Sequence, residues 1–332
     1  MNVGGKATTA PRDADVRLRF KLIKSAVMSS IHDSHPGHCR HRVKGPLHIG
    51  AVRLRRMSLL SFIPEMSVPP MLPAPPLPAP GDRWALFLDV DGTLLPFADR
   101  PEEVVVSDRL RVLLADLYAT LDGALALVSG RGLVDLDRLF GAPPWAMAGL
   151  HGLQLRHANG EMRETRVSGS RRSLALHTAE TISRAHPGTL IENKELAVAI
   201  HSRTAPEHFE SVRHAVETAL PQLHGYEMQA GNLVVELKPE GMDKGKAVAE
   251  LMASEPFAGR VPVYLGDDLT DEYGFAATNL ENGLSVRVGS REPSLAQYTL
   301  PGTDAVHAWL SRVLNVIKQG AHPHAYPSGG NA

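Results

Sequence analysis

A single cysteine, Cys39, stands in 332 residues, so the chain has no partner for an internal disulfide and no set of thiolates for a cysteine-based metal cluster. That usage suits a reducing compartment, and a cytoplasmic setting is the expectation. Aromatic residues are scarce at 5%, and the net charge is only −1, with an isoelectric point near 7.0. No global field of either sign therefore draws the protein to nucleic acid or to a membrane surface.

The near-zero charge conceals an asymmetry. Lys6, Arg12, Arg17, Arg19, Lys21, Lys24, Arg40, Arg42, Lys44, Arg53, Arg55 and Arg56 fall in the first 60 residues, against Asp13, Asp15 and Asp33. A basic arm of this kind binds polyanions in some proteins. Here Phe20 is its only aromatic of note and no nucleic-acid module is recognisable. Its charges also interrupt any apolar run long enough for a secretory leader or a membrane span. A transit peptide fits the arginine content, but no sustained amphipathic helix follows. The expectation is a poorly ordered extension, with Met57 or Met66 as an alternative beginning. Residues 69–80, PPMLPAPPLPAP, hold seven prolines and favour polyproline II. They read as a spacer that closes the disordered stretch.

Order begins at Trp84-Ala-Leu-Phe-Leu88, an apolar run that enters Asp89-Val90-Asp91-Gly92-Thr93. Uninterrupted apolar character predicts a strand buried on both faces, as in a parallel sheet covered by helices. The two aspartates then sit at its C-terminal edge, where open α/β sheets bind ligands. A polar strand exit ending in an Asp-Gly turn would have the same letters. Two like charges leaving an apolar strand side by side are nevertheless costly without a cation or a shared proton.

The pattern continues in strand–helix alternation. Leu110, Leu113, Leu114 and Leu117 recur at helical spacing behind a Ser107 cap, and a second apolar strand ends at Ser129-Gly130-Arg131, followed by a helix to about Phe140. Trp145–Leu150 begins as a further strand. The middle then departs from this alternation, with a hairpin over 151–166 turning at Asn159-Gly160, a helix over 171–185, a pair Leu190–Glu192 with Ala197–His201, a helix over 206–220, and a pair Tyr226–Gln229 with Leu233–Leu237. Hairpins alternating with two helices predict an antiparallel sheet covered on one face. Parallel grammar resumes with a helix capped by Asp243, the strand Val261–Leu265, the acidic run Gly266–Glu272, the strand Ser285–Val288 and a helix over 303–318.

The fold expected is therefore α/β: a Rossmann-like doubly wound parallel core over 81–150 and 238–318, interrupted by an α+β insertion over 151–237. A disordered extension over 1–80 precedes it and a loose tail over 319–332 follows. Four elements converge on one sheet edge: Asp89 with Asp91, Ser129, Lys244, and the acids at 267–272. Singly they read as a turn, a cap and a surface lysine. Together they meet the needs of phosphoryl transfer, since crowded oxygen ligands favour Mg²⁺ and a lysine, a hydroxyl and a helix N-terminus stabilise phosphoryl oxygens. An aspartate can act as covalent nucleophile, and its neighbour two residues on can move a proton.

In this order, DVDGT at 89–93, the apolar-Ser at 128–129, Lys-Gly at 244–245 and GDDLTDE at 266–272 resemble the four motifs of haloacid-dehalogenase-like phosphatases. GLHG at 149–152, Ser-Gly-Arg at 129–131, Glu192, Lys194, His201, Arg203 and VELKP at 235–239 narrow the resemblance to trehalose-6-phosphate phosphatases, from about 84 to 315. The resemblance implies Asp89 as nucleophile and Asp91 as general acid, then base, with Ser129 and Lys244 on the phosphoryl group. It implies a Mg²⁺ site of Asp89, the backbone of Asp91 and Asp267, supported by Asp271, and substrate contacts from Asp89, Val90, Asp91, Gly130, Arg131, Glu192, Lys194, His201, Arg203 and Glu236. The insertion becomes a mobile cap. Ser202 departs from the pattern, where many relatives carry Tyr. Competing readings are another substrate (sucrose 6-phosphate or a mannosyl phosphate), a catalytically inactive sugar-phosphate sensor, and a phospho-acceptor receiver domain. The last would be shorter and would place its acidic pair before the acceptor strand.

Overall fold

The structure, a computed structural model, describes residues 72–97, 104–231 and 233–320. The readings made for the basic arm, for Cys39, for Met57 and Met66 and for the tail beyond 320 lie outside the described residues.

Among the described residues, strands and helices follow in chain order from Trp84. They are β1 (Trp84–Leu88), α1 (Asp108–Thr120), β2 (Leu125–Val128), α2 (Leu133–Phe140), β3 (Ala146–Gly149), β4 (Gln154–Arg156), β5 (Met162–Glu164), α3 (Gly169–Ala185), β6 (Leu190–Lys194), β7 (Ala197–His201), α4 (Phe209–Ala219), β8 (Tyr226–Gly231), β9 (Val234–Pro239), α5 (Lys244–Met252), β10 (Val261–Gly266), α6 (Asp271–Leu280), β11 (Leu284–Val288), β12 (Tyr298–Leu300) and α7 (Thr303–Gly320). They build two sheets.

The larger sheet runs β12-β11-β10-β1-β2-β3-β4-β5, parallel from β12 to β3. Its central strand β1 is wholly apolar and buried, flanked by β10 and β2, as the apolar run predicts. Ser107 caps α1 by accepting from Leu110 N, and Leu110, Leu114 and Leu117 are the face that helix buries. Helix α1 packs on α7, and α5 on α6. The smaller sheet, β6-β7-β9-β8, is antiparallel. Ala175, Ile182, Val212 and Val216 from α3 and α4 close over Val198, Ile200, Val235 and Leu237 of that sheet, giving it its own apolar core.

Two expectations need correction. The hairpin β4–β5, assigned to the insertion, joins the larger sheet, with β4 antiparallel to β3. Asn159-Gly160 fixes a hairpin but not the edge it joins. The free edge of β3, buried throughout, takes β4 as its partner, and Leu153 and Leu155 complete the core beneath it. The proline-rich stretch is likewise no free spacer from Pro73 onward. Pro73 O accepts from Thr299 N at 3.0 Å, and Trp309 Nε1 donates to Pro75 O at 3.3 Å and Pro76 O at 3.2 Å. An extended proline segment has few N–H groups to satisfy but keeps its carbonyls free, and a buried indole needs an acceptor. Trp309, fully buried, also stacks on Trp84 with ring centroids 6.1 Å apart. Two residues earlier on α7, His307 Nε2 donates to Leu94 O at 2.8 Å, tying the last helix to the loop after β1.

Trp309→Ala is expected to cost about 3–5 kcal/mol in urea unfolding, since it removes a large buried ring and leaves the strap without its anchor. Trp309→Phe, which keeps the stacking and loses the donor, should cost less than half of that.

Candidate active site

The loop after β1 is shaped by its backbone. Asp89 N still bonds Leu265 O at 3.0 Å, which carries the aspartate one residue past the strand in extended geometry. Val90 O then accepts from Leu94 N and Leu95 N, both at 2.9 Å, turning the chain sharply. Gly92 sits at φ 84°, and a Cβ there would lie 2.3 Å from Asp267 Oδ2, so only glycine lets the two acidic loops meet. Thr93 Oγ1 donates to Asp267 Oδ1 at 3.3 Å.

Lys244 arrives from the opposite side in the first turn of α5, whose N-cap Asp243 accepts from Lys246 N. Its Nζ lies 2.7 Å from Asp89 Oδ1 and 2.7 Å from Asp271 Oδ1, all three groups buried. Asp271 also takes the Tyr264 hydroxyl on Oδ1 at 2.7 Å, and its Oδ2 accepts from Asp267 N at 3.0 Å and Asp268 N at 2.9 Å. Its four acceptor positions are thus filled, and it fixes the loop that presents Asp267. Arg291 supports the same loop from outside, donating to Asp267 O and Asp268 O at 3.2 Å each and pairing with Glu272.

One oxygen from each of Asp89, Asp267 and Asp271 lies within 4.8 Å of the others. Burial, and then Asp271 beside it, pushes Asp89 up to about 7 despite Lys244. Burial, and then Asp89 and Asp271, pushes Asp267 up to about 9. Lys244 moves upward although burial opposes it, because Asp271 and Asp89 flank it. Carboxylates that keep protons this tightly are short of positive charge, and an all-oxygen donor set suits a hard divalent cation. Asp89 and Asp267 fit such an ion, with Asp271, already engaged at both oxygens, holding their surroundings in place.

Asp91 does not join this triad. Its carboxylate is held by Arg131, Nε to Oδ2 and Nη2 to Oδ1 both at 2.7 Å, the two-pronged match a guanidinium makes with a carboxylate. Ser129, buried at the end of β2, accepts from Arg131 N at 3.1 Å, so the Ser-Gly-Arg turn is closed on itself. Val90, expected among the substrate contacts, buries its side chain fully in the core and does not line the cavity. At this edge it presents backbone, its carbonyl serving as the turn acceptor, because alternate residues of an extended strand face opposite ways.

A cavity of about 650 Å³ opens over these groups. Asp89, Asp91, Ser129, Gly130, Arg131 and Lys244 line it from the larger sheet, and Glu192, Lys194, His201, Arg203 and Glu236 from the smaller one. Among the latter, acids alternate with donors: His201 Nε2 to Glu192 Oε2 at 2.9 Å, and Lys194 Nζ to Glu236 Oε2 at 3.2 Å and to Glu192 Oε2 at 3.8 Å. Burial alone would raise both acids. Lys194 and His151 instead hold Glu236 far below the usual carboxylate range, and the hydrogen bond from His201 together with the nearby Lys194 charge holds Glu192 below it. The Arg203 guanidinium lies over the Phe97 ring at 5.6 Å.

Four residues of the site escaped sequence reasoning. Tyr264 and Arg291 reach it through contacts that no local pattern encodes. Gln154 accepts from Leu133 N at 3.0 Å and donates to Glu164 and Glu195, linking the start of α2 to the turn between β6 and β7. His151 is buried 3.5 Å from Glu236. Its motif was visible, but neither glycine nor asparagine marks Leu150 and His151 as left-handed, at φ 49° and 55°.

Two outcomes follow. Lys244→Met strands Asp89 and Asp271 without counter-charge and should cost about 3–5 kcal/mol in denaturant unfolding at neutral pH. The raised Asp267 contributes fully below the unfolded value of 3.8, and that contribution fades as pH climbs toward about 9. A divalent cation held there would replace the proton. The rise in melting temperature on adding Mg²⁺ to chelator-treated protein should therefore be larger at pH about 8 than at pH about 6, and an equal rise would contradict the site.

Comparison with known proteins agrees with this geometry. Residues 87–304 match the family model described as "Trehalose-phosphatase". A trehalose-6-phosphate phosphatase of Escherichia coli (strain K12) is 38% identical over 253 residues, 75% of this chain and 92% of the relative. A probable trehalose-phosphate phosphatase of Sinorhizobium fredii is 42% identical over 233 residues, 69% of this chain and 87% of the relative. Among solved structures, the C-terminal domain of a Candida albicans trehalose-6-phosphate phosphatase superimposes with a TM-score of 0.65 at 22% identity, covering 71% of this chain and 93% of that one, a likeness of fold. Among the described residues, no helix is long and apolar enough to cross a membrane.

Proposed function

The chain belongs to the trehalose-phosphatase family, and we propose that it hydrolyses trehalose 6-phosphate to trehalose and inorganic phosphate through an aspartyl-phosphate on Asp89, with Mg²⁺ as its cation. Membership makes the chain a phosphatase, a phosphoric monoester hydrolase. The observation that carries the mechanism is the grip of Lys244 on one oxygen of Asp89, which leaves Oδ2 as the attacking atom beneath the cavity.

In the proposed sequence, Asp89 Oδ2 forms a bond to phosphorus as the bond from phosphorus to the sugar oxygen breaks. Asp91 delivers a proton to that leaving oxygen. A phosphate entering the cavity competes for the Arg131 guanidinium, and Asp91, released from its bidentate partner, is then able to hold the proton. A water oxygen next bonds to phosphorus as the bond from phosphorus to Asp89 breaks, and Asp91 takes a proton from that water, which releases phosphate, frees the Asp89 carboxylate and returns Asp91 to its protonated form. Ser129 and Lys244 steady the phosphoryl oxygens. Mg²⁺, held by Asp89 and Asp267 with Asp271 in support and the backbone at Asp91 beside them, would supply Lewis-acid charge to those oxygens.

The smaller sheet acts in this reading as the cap: Glu192, Lys194, His201, Arg203 and Glu236 face sugar hydroxyls, and closure excludes water during transfer. The partner is thus a small sugar phosphate, and with a single cysteine the proposed setting is the cytoplasm. A non-catalytic sensor has no need of the intact set of Asp89, Asp91, Lys244 and Asp267.

Asp89→Asn should lower phosphate release by at least about a thousandfold with its melting temperature within a few degrees of the parent. Undiminished release would refute the covalent role. A panel of trehalose 6-phosphate, sucrose 6-phosphate and mannosyl phosphates, ranked by kcat/KM, tests the substrate. Preference for either of the latter two would replace the trehalose assignment without touching the chemistry.

A further inference from the structure

Two buried polar atoms at the cavity have no hydrogen-bond partner: Nδ1 of His151 and Oε1 of Glu236. They belong to residues on different sheets that already meet, His151 Nε2 lying 3.5 Å from Glu236 Oε2. The other oxygen of Glu236 is fully engaged by that imidazole and by Lys194. Burying unpaired acceptors is unfavourable, and a fold tolerates it where a ligand completes them.

The backbone points the same way. Leu150 and His151 are consecutive non-glycine residues at positive φ, a conformation held only where the surroundings enforce it and concentrated at functional sites. The strain delivers the imidazole to Gly130, in the middle of the Ser129–Arg131 turn. A Cβ on Gly130 would lie 2.8 Å from His151 Cε1 and 2.9 Å from Nε2, so the glycine is the space the ring occupies. His151 therefore stands between the turn that faces the phosphate and the sheet that faces the sugar.

We propose that His151 is a specificity-determining residue: its Nδ1 and Glu236 Oε1 accept hydrogen bonds from hydroxyls on the sugar ring that carries the phosphate. This deepens the functional reading above and rests on it. The tautomer follows from the contacts, since the proton on Nε2 faces Glu236 and leaves Nδ1 with a lone pair. Burial keeps the imidazole below its usual range and so neutral, an acceptor at Nδ1. Two acceptors with no donor between them fit a polyol and refuse a ligand presenting only acceptor oxygens in that place. The phosphorylated ring is assigned because the imidazole touches the phosphate-facing turn.

The test compares two variants on trehalose 6-phosphate and on its monodeoxy analogues. His151→Asn places an acceptor near the position of Nδ1 and tolerates positive φ, whereas His151→Gln keeps a donor toward Glu236 and loses the acceptor. On the parent substrate His151→Gln should lower kcat/KM about tenfold, mostly through KM, and His151→Asn should recover a good part of that loss. On one analogue, lacking the hydroxyl that Nδ1 reads, wild type and His151→Gln should become nearly equal. Losses that stay multiplicative on every analogue, with wild-type turnover of the parent intact, would overturn this proposal alone. Failure of the wild-type protein to turn over trehalose 6-phosphate would instead overturn the functional reading. Circular dichroism melts of both variants accompany the kinetics, and a loss of KM discrimination in a variant that melts like wild type is the result that supports the role.

Discussion

Lys244 keeps a full charge inside the protein because Asp89 and Asp271 each place an oxygen 2.7 Å from its Nζ. Even with it in place, burial and repulsion between the carboxylates raise both Asp89 and its neighbour Asp267. The three elements at this edge are therefore locked by charge as well as by ladder bonds. The end of β1 brings Asp89, the start of α5 brings Lys244, and the start of α6 brings Asp271, which accepts from two backbone N–H groups of the preceding loop. Moving any of them by a turn of helix would expose an uncompensated charge to an apolar interior. A site that must later accept more negative charge from a phosphate is thus held by an excess of acid that only cations neutralise.

The smaller sheet faces this edge with a different arrangement of charge. Its acids alternate with hydrogen-bond donors, His201 and Lys194 beside Glu192 and Lys194 beside Glu236, so each carboxylate is partnered by its neighbours. Alternation suits a neutral, hydroxyl-rich ligand, which needs donors and acceptors in turn. Concentrated like charge suits a cation and a phosphate. The two halves of the cavity differ in chemistry because they are built from opposite charge patterns.

The larger fold was legible because its strands carry their burial on their face. Trp84–Leu88 and Val261–Leu265 are apolar throughout, and each ends in the aspartates that mark the ligand edge. Ser107 and Asp243 announced their helices as caps, and both side chains accept the bonds expected of caps. Less was legible where a contact depends on partners distant in sequence. The Asn159-Gly160 hairpin could be read, but not that β3 would claim it. The prolines of 73–80 read as spacer, since their affinity for Trp309 is a property of carbonyls that every extended segment has. In the site, Asp89, Lys244 and Asp267 stood out by residue type and order, whereas the clasp of Arg131 on the Asp91 carboxylate carried no local signal. His151 lay within a visible motif, yet its importance comes from a strained backbone and an unpartnered nitrogen, both of which exist only in three dimensions.

The placement of β1 has a consequence for how the molecule is made. Its pairing partner β10 and the Trp309 ring that stacks on Trp84 both come from the far side of the smaller sheet in sequence. During synthesis from the N-terminus, β1 and β2 emerge with one apolar ladder edge unpaired. The smaller sheet, whose four strands lie together between Leu190 and Pro239, can close on local contacts first. The strand that leads into Asp89 thus becomes central last, and until β10 leaves the ribosome its open edge is a template for pairing with another chain.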